Sequence, residues 1–187
     1  VLKGQELINS AKVKNMANDF KNIQIQIYSY QDKFRALPGD DRAAVANVAA
    51  TTNGNGNGVI EGAWNATSGE TFDFWQHIRK AGLATGSTNT VDANYPPKNT
   101  EGGRIGVQSN PDKTIVGLSG SYVICSEGIL GKFAKQLDVS LDDGDTATGN
   151  MMTAENVTGT GSTAAVTSVG LSPTISDSTK YTVCMAF

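Results

Sequence analysis

Apolar residues repeat along the N-terminal part of the chain with the spacing of one face of an α-helix. They are separated alternately by three and four residues, and lysine, asparagine, glutamine and aspartate occupy positions between them. This pattern predicts one long amphipathic helix, from about residue 3 to residue 36, that ends before Pro38 and Gly39. The apolar face, called the stripe below, consists of Val13, Met16, Phe20, Ile23, Ile27, Tyr30 and Phe34.

The stripe fades before Val13, because Glu6 and Asn9 occupy the positions that would continue it. Helices of globular domains average about 11 to 12 residues, so a helix of this length is expected to extend beyond the globular part of the chain. We therefore expect the first turns to protrude and to contact another partner. Because Val1 opens directly on the helical pattern, we also expect that an upstream segment has been removed.

Composition narrows the classes of function. The 187 residues fit one domain, and 39% apolar residues are enough for a core. The formal net charge of −3 gives no electrostatic attraction to nucleic acid or to an anionic membrane surface. The chain contains no run of 18 apolar residues, so no segment of it is expected to span a bilayer.

Residues 37–102 form a glycine-, threonine- and asparagine-rich region that we predict to be a long loop with one short helix. The helix is expected near residues 70–82, with Thr71 or Ser68 as its N-cap and Gly82 as its stop. Its predicted buried face consists of Phe72, Trp75, Ile78 and Arg79.

Residues 103–187 are predicted to form an antiparallel sheet. The β-branched and aromatic stretches GRIGVQS, KTIVGLSG, SYVIC, MMTAENV and YTVCMAF read as strands separated by turns. A further helix is predicted at GILGKFAKQLD, residues 128–138, and the low-complexity residues 159–179 are predicted to be an exposed loop.

The two cysteines, Cys125 at the predicted end of a strand and Cys184 in the last strand, fit a single disulfide in an oxidising compartment. Two buried free thiols are the alternative. A disulfide closing a loop of roughly 60 residues would contribute about 4 kcal/mol in the chain-entropy model. The chain has no cluster of cysteine and histidine, so zinc is not expected.

Three stretches carry a resemblance to a known family. The end of the long helix with YQDKFRALPGDDR, the helix FWQHIRKAGL and the stretch QLDVSLDDGDTATGN resemble bacterial type IV pilins and the pilin-like proteins of type II secretion. The resemblance implies an α+β pilin fold, with residues 1–36 as the C-terminal half of the long helix and residues 37–187 as the globular head. It also implies that a glycine- and asparagine-rich loop connects helix and sheet, and that Cys125 and Cys184 close a C-terminal loop.

The function that this resemblance implies is structural. The chain would be a subunit of a type IV pilus, used for adhesion, twitching motility or DNA uptake; a type II secretion pseudopilin is the alternative. Its partners would be copies of itself and other pilins, in a filament at the cell surface. Before assembly, an apolar segment upstream of Val1 would anchor it in the inner membrane, after a prepilin peptidase has removed a leader. A methylated N-terminus belongs to the same pattern.

The stretch NGNGNGVIEG raises a different possibility, a calcium loop. Asn53, Asn55 and Asn57 follow the spacing of the first EF-hand ligands, but Trp64 stands where a bidentate glutamate is needed. Glu61, Asp40 or Asp41 would have to supply carboxylates. The alternative is a run of tight turns, since Asn-Gly pairs readily adopt positive φ.

A second candidate calcium site lies in LDDGD, where Asp142, Asp143 and Asp145 offer three carboxylates. The DDG sequence is equally suited to a turn. If either site binds calcium, the protein could instead be a calcium-dependent extracellular binding module. No other cofactor is expected.

The sequence offers little for catalysis, and we expect no enzymatic activity. The single histidine, His77, lies inside a predicted helix, where a structural role is more common than general base catalysis. The stretch GLSGS departs from the nucleophile elbow at Ser121, and NGNGNG lacks the lysine of a phosphate-binding loop.

Overall fold

The fold is known from a computed structural model, which describes residues 1–109, 114–156 and 174–187. It is an α+β fold in which a long N-terminal helix packs with shorter helices on an antiparallel sheet. In chain order, the described elements are α1 (Leu2–Phe34), α2 (Ala44–Val48), α3 (Glu70–Lys80), β1 (Ile105–Ser109), β2 (Tyr122–Leu130), α4 (Gly131–Leu141), β3 (Met151–Glu155) and β4 (Lys180–Ala186).

Helix α1 is 33 residues long and buries the predicted stripe. Six of its seven residues are buried, and Phe34 is partly buried against the same core. The helix ends at Arg35, which adopts the left-handed conformation (φ 57°) and donates its amide to the Gln31 carbonyl. The end comes slightly before the predicted residue 36, and the helical pattern itself is confirmed.

The first two turns of α1 lie outside the core. Every residue from Val1 to Ile8 is exposed, and burial begins at Val13. Close to this boundary, Lys12 Nζ forms an ion pair with Glu101 Oε1 at 2.9 Å. The weakening of the stripe in the sequence therefore marks the point where α1 leaves the head.

The sheet has four antiparallel strands in the order β1-β2-β4-β3. Both faces are covered. Helices α1, α3 and α4 pack on the face that carries Val107, Ile124 and Val183. On the opposite face, residues of the connecting loops pack against the strands; this second cluster contains Trp64, Ile115, Leu118, Val123, Cys125, Met152, Ala154, Cys184 and Ala186.

A disulfide joins Cys125 to Cys184, so the prediction of a single bridge is confirmed and the free-thiol alternative is wrong. The two residues are register partners on the neighbouring strands β2 and β4, and both are buried. The sequence predicted Cys125 at the end of a strand, but the structure places it inside β2. The bond therefore fastens the last strand to the middle of the sheet.

Two predicted elements differ from the structure. Residues 113–120 were predicted to be a strand, but Thr114–Gly120 turns at Gly117, which has φ 91°, and places Ile115 and Leu118 against the sheet. The helix predicted at residues 128–138 starts later, at Gly131, because Ile129 and Leu130 continue β2 beyond an irregularity in the pairing.

Smaller differences concern caps and loops. The N-cap of α3 is Gly69; neither Ser68 nor Thr71 caps it, and Thr71 is buried within the helix. Helix α2 has no strong sequence signal and was not predicted. Of the low-complexity loop predicted at residues 159–179, residues 159–173 lie outside the described part of the chain.

Candidate functional site

The asparagine- and glycine-rich loop, residues 53–58, folds around the carboxylate of Asp40. Asp40 Oδ1 accepts hydrogen bonds from the amides of Gly56 (2.8 Å) and Asn57 (3.0 Å), and Oδ2 accepts one from the amide of Gly58 (2.8 Å). Gly56 and Gly58 have positive φ, which lets successive amides converge on one anion. The loop is thus an anion-binding nest that the chain fills with its own side chain, called the Asp40 nest below.

The asparagines of this loop use their side-chain oxygens to accept hydrogen bonds from the backbone. Asn53 accepts from the amide of Val45, Asn55 from that of Asn57, and Asn57 from that of Val59. The bonds of Asn55 and Asn57, each to the amide two residues further on, are the local turns that Asx residues form, whereas the bond of Asn53 connects the loop to α2.

Glu61, the carboxylate predicted to join a calcium loop, does lie beside two of these asparagines. Its two oxygens accept hydrogen bonds from the side-chain amides of Asn55 (3.0 Å) and Asn57 (2.8 Å). The asparagines therefore direct N–H groups towards Glu61, whereas a calcium site needs oxygens that converge. These contacts favour the turn interpretation of NGNGNG over the calcium interpretation.

The carboxylates of Glu70 and Asp73, in the first turn of α3, form hydrogen bonds with residues in and next to this loop. Glu70 accepts hydrogen bonds from the amides of Asn55 and Glu61, both at 2.9 Å. Asp73 accepts one from the hydroxyl of Thr52 at 2.8 Å. A loop rich in glycine is thereby given a defined shape by acids that come from two other segments of the chain.

Both ring nitrogens of His77, which lies beside the Asp40 nest, have hydrogen-bond partners within the fold. Its Nδ1 accepts a hydrogen bond from the amide of Gly39 at 2.9 Å, and its Nε2 lies 3.2 Å from the Thr52 carbonyl oxygen. This pattern requires the neutral ring with the proton on Nε2. Burial lowers the pKa of His77, in keeping with a neutral ring.

Asp41, beside Asp40, connects the nest to α1. Its carboxylate accepts hydrogen bonds from Tyr30 Oη (2.7 Å), the Asn47 side chain (2.9 Å) and the amide of Ala43 (2.8 Å). Burial alone would raise the pKa of Asp41, but these three hydrogen bonds lower it below its ordinary value. Burial and the bond to Asp41 raise the pKa of Tyr30, so the phenol stays protonated as the donor.

A second set of carboxylates lies at the C-terminal end of α4. The sequence predicted Asp142, Asp143 and Asp145 as a group, but the structure brings Asp142 and Asp143 together with Asp138 instead. One carboxylate oxygen from each of these three lies within 4.8 Å of the others. Asp145 is absent from this group, and its Oδ1 accepts a hydrogen bond from the amide of Ala147. We call Asp138, Asp142 and Asp143 the acidic cluster.

Asp138 was not among the calcium ligands predicted from the sequence, although a signal existed. It lies four residues before Asp142, so in a helix the two side chains stand on one face. Asp138 is 0% exposed, and its Oδ1 accepts a hydrogen bond from the amide of Gly144 at 2.8 Å. Burial raises its pKa to about 7, and the neighbouring carboxylates of Asp142 and Asp143 add to the effect.

The third notable surface is the exposed start of α1, residues 1–8, called the α1 tip. Large apolar side chains are concentrated here: Leu2 is 82% exposed, Leu7 72% and Ile8 53%. No helix in the described part of the chain is both long enough and apolar enough to cross a membrane. Exposed apolar side chains gathered on one short segment are typical of a contact surface.

Comparisons with protein-family models, with curated proteins and with solved structures found no match to this chain.

Proposed function

We propose that this protein is a structural subunit of a helical surface filament of the type IV pilin kind. The observation that carries the proposal is the division of α1 into two parts. From Val13 onward its stripe is buried in the head, whereas the α1 tip has apolar side chains that no part of the described head covers. One helix therefore serves the fold with one part and offers a second part to a partner.

Copies of the same chain are the partner that this division fits best. A contact between α1 tips and the α1 of neighbouring copies, repeated by one rotation and rise that do not close, produces an open filament. In such a filament the helices form the centre and the heads form the outside. An apolar segment preceding Val1 would lengthen the central helix and would hold the subunit in the inner membrane before assembly.

The head has features expected of a subunit exposed at a cell surface. The disulfide between Cys125 and Cys184 suits an oxidising compartment. Both faces of the sheet are covered, so the head does not offer an open sheet face. The best-organised polar groups, around Asp40 and His77, make contacts that shape a loop, which agrees with a role in assembly without catalysis.

The test is to shear filaments from the source cells and to identify the subunits by mass spectrometry. We expect to find this chain in the filament fraction. Replacing Leu7 by lysine should lower its incorporation by about tenfold or more, because a charge would be buried in the contact. Leu7 lies outside the head and is 72% exposed, so the melting temperature of the purified protein should not change.

Val91→Lys is the matched control, since Val91 is 87% exposed but belongs to the head. It should enter filaments as the wild type does. Recovery of the chain only as a secreted protein, outside any filament, would overturn the proposal. Short assemblies that appear only with an active type II secretion system would favour the pseudopilin alternative.

A further inference from the structure

We propose that the acidic cluster of Asp138, Asp142 and Asp143 binds a divalent cation, Ca²⁺ under extracellular conditions. This proposal concerns the C-terminal end of α4 and the loop after it, and it is independent of the filament proposal, which rests on α1. Three observations lead to it: the buried carboxylate of Asp138 has too few hydrogen-bond donors, two further carboxylates lie close to it, and the loop holds those two carboxylates in place.

The first observation is that Asp138 has too few donors for a buried carboxylate. A buried charged group is stable only when it is paired or hydrogen-bonded. Asp138 Oδ1 has the amide of Gly144, but Oδ2 is buried and has no hydrogen-bond partner in the described part of the chain. Oδ2 therefore needs either a proton of its own or a cation.

The second observation is that the neighbouring carboxylates of Asp142 and Asp143 make an unpaired negative charge on Asp138 still less favourable. Asp142 and Asp143 place further carboxylate oxygens within 4.8 Å of Asp138, and no lysine or arginine forms an ion pair with any of the three in the described part of the chain. Like charges at this distance disfavour each other's ionised form. A divalent cation at the centre would reverse this repulsion, because all three carboxylates would then ligate the same charge.

The third observation is that the loop holds Asp142 and Asp143 in place. Asp142 Oδ2 accepts a hydrogen bond from the amide of Met151 at 2.8 Å. Asp143 accepts hydrogen bonds from the amide of Asp145 at 2.9 Å and from the hydroxyl of Thr148. A Cβ at Gly149 would collide with the Asp142 carboxylate, so only glycine lets the returning chain approach it.

The chemistry of the ligands selects the cation. Three carboxylates without histidine or cysteine form a hard, all-oxygen set that suits Ca²⁺ or Mg²⁺. Asp143 is exposed, so an ion can enter from solvent and retain water ligands. Ca²⁺ tolerates an irregular mixture of carboxylate, carbonyl and water ligands, whereas Mg²⁺ demands a nearly ideal octahedron. The expected affinity is that of extracellular modules, with Kd about 10⁻⁴ to 10⁻³ M.

The competing explanation is a proton held on Asp138 and shared with Asp143. Thermal unfolding of the purified protein at pH 7.5 separates the two, with either EDTA or about 10 mM CaCl₂ present. If the cluster binds Ca²⁺, the melting temperature of the wild type should rise by about 3 °C. Calorimetric titration with CaCl₂ should then give one site per chain.

Asp138→Asn is the decisive variant, since asparagine keeps the size and the acceptor for Gly144 but removes the charge. We expect it to fold, to melt in EDTA at least as high as the wild type, and to lose the response to Ca²⁺, with Kd weakened by about tenfold or more. Asp145→Asn is the matched control because Asp145 lies in the same loop outside the cluster, and it should keep the full response.

Two results would overturn the proposal. One is a wild-type melting temperature that is the same in EDTA and CaCl₂, which would assign the cluster to a shared proton. The other is an equal response to Ca²⁺ in the wild type and in Asp138→Asn, which would place the binding elsewhere.

Discussion

Two of the buried aspartates, Asp40 in a loop and Asp138 in the last turns of α4, have very different hydrogen-bond partners. Asp40, 3% exposed, receives three backbone amides from the loop that surrounds it. Asp138, 0% exposed, receives one amide and stands among two other carboxylates. Burial alone therefore does not decide what a carboxylate does; the number of donors around it decides whether it organises the chain or needs a proton or a cation.

The largest effect is expected from removing the carboxylate of the Asp40 nest. Asp40→Ala would leave the amides of Gly56, Asn57 and Gly58 without their acceptor inside the fold. We expect the free energy of unfolding to fall by about 3 kcal/mol, measured by chemical denaturation. The exposed Glu155→Ala is the control and should change it by less than about 0.5 kcal/mol. Equal values for the two variants would mean that the nest does not depend on Asp40.

A pair of isosteric variants sharpens the comparison, because they should have opposite signs. Asp40→Asn turns an acceptor into a donor opposite the amide of Gly58, and we expect a loss of about 2 kcal/mol. Asp138→Asn, measured in EDTA, removes a repelling charge, and we expect a gain of about 1 kcal/mol. If both variants lose stability to the same extent, the two aspartates are equivalent and the contrast is wrong.

The pH dependence of stability should report on His77, which lies beside the Asp40 nest. His77 is neutral in the fold and its pKa is lowered by burial, so the unfolded chain binds a proton more readily. The contribution of His77 to stability is therefore fully present above the unfolded pKa of about 6.5 and falls as the pH decreases below it, by at most about 1.4 kcal/mol per pH unit.

His77→Gln should flatten this slope between about pH 6.5 and pH 5 in denaturation curves, whatever its effect on absolute stability. The lowered pKa of Asp41 adds a further loss only below its unfolded value of about 3.9. A slope unchanged by His77→Gln would show that another group causes the acid sensitivity.

The smallest effects should come from two glycines in equivalent positions. Gly58 and Gly144 both have φ 87°, and each donates its amide to a buried aspartate at 2.8 Å. Alanine at either position keeps the amide but strains the backbone, which should cost about 1 kcal/mol in each case. Gly4→Ala in the exposed first turns of α1 is the control, where alanine should be neutral or stabilising. A cost at Gly58 alone would show that the two loops differ in rigidity as well as in charge.

The sequence predicted the parts of the fold that depend on local periodicity. The spacing of the stripe predicted α1, and β-branched residues around Val107, Val123 and Val183 predicted three of the strands. Thr114–Gly120 has the same composition as those strands, but Gly117 turns it away, and only the completed sheet shows which face Ile115 and Leu118 cover. Composition alone cannot separate a strand from a loop that covers one.

The candidate sites were harder to predict because their members come from separate segments. Asp40 lies 16 to 18 residues before the amides that it accepts from, so the closeness of the two segments depends on the tertiary fold. The group of Asp142, Asp143 and Asp145 was predicted from adjacency in sequence. The structure replaced Asp145 with Asp138, which helical geometry brings one turn back onto Asp142.

The Asp40 nest also bears on the chemical lifetime of the chain. An asparagine followed by glycine can deamidate. The backbone nitrogen of the glycine attacks the side-chain amide carbon of the asparagine, and ammonia leaves. The resulting succinimide hydrolyses to aspartate or isoaspartate. Residues 53–58 contain three such pairs in succession. In the fold, the amide of Gly54 is bonded to the Asp41 carbonyl, and those of Gly56 and Gly58 to Asp40. We expect these bonds to hold the three nitrogens away from the reaction, so the carboxylate that shapes the loop also slows its ageing.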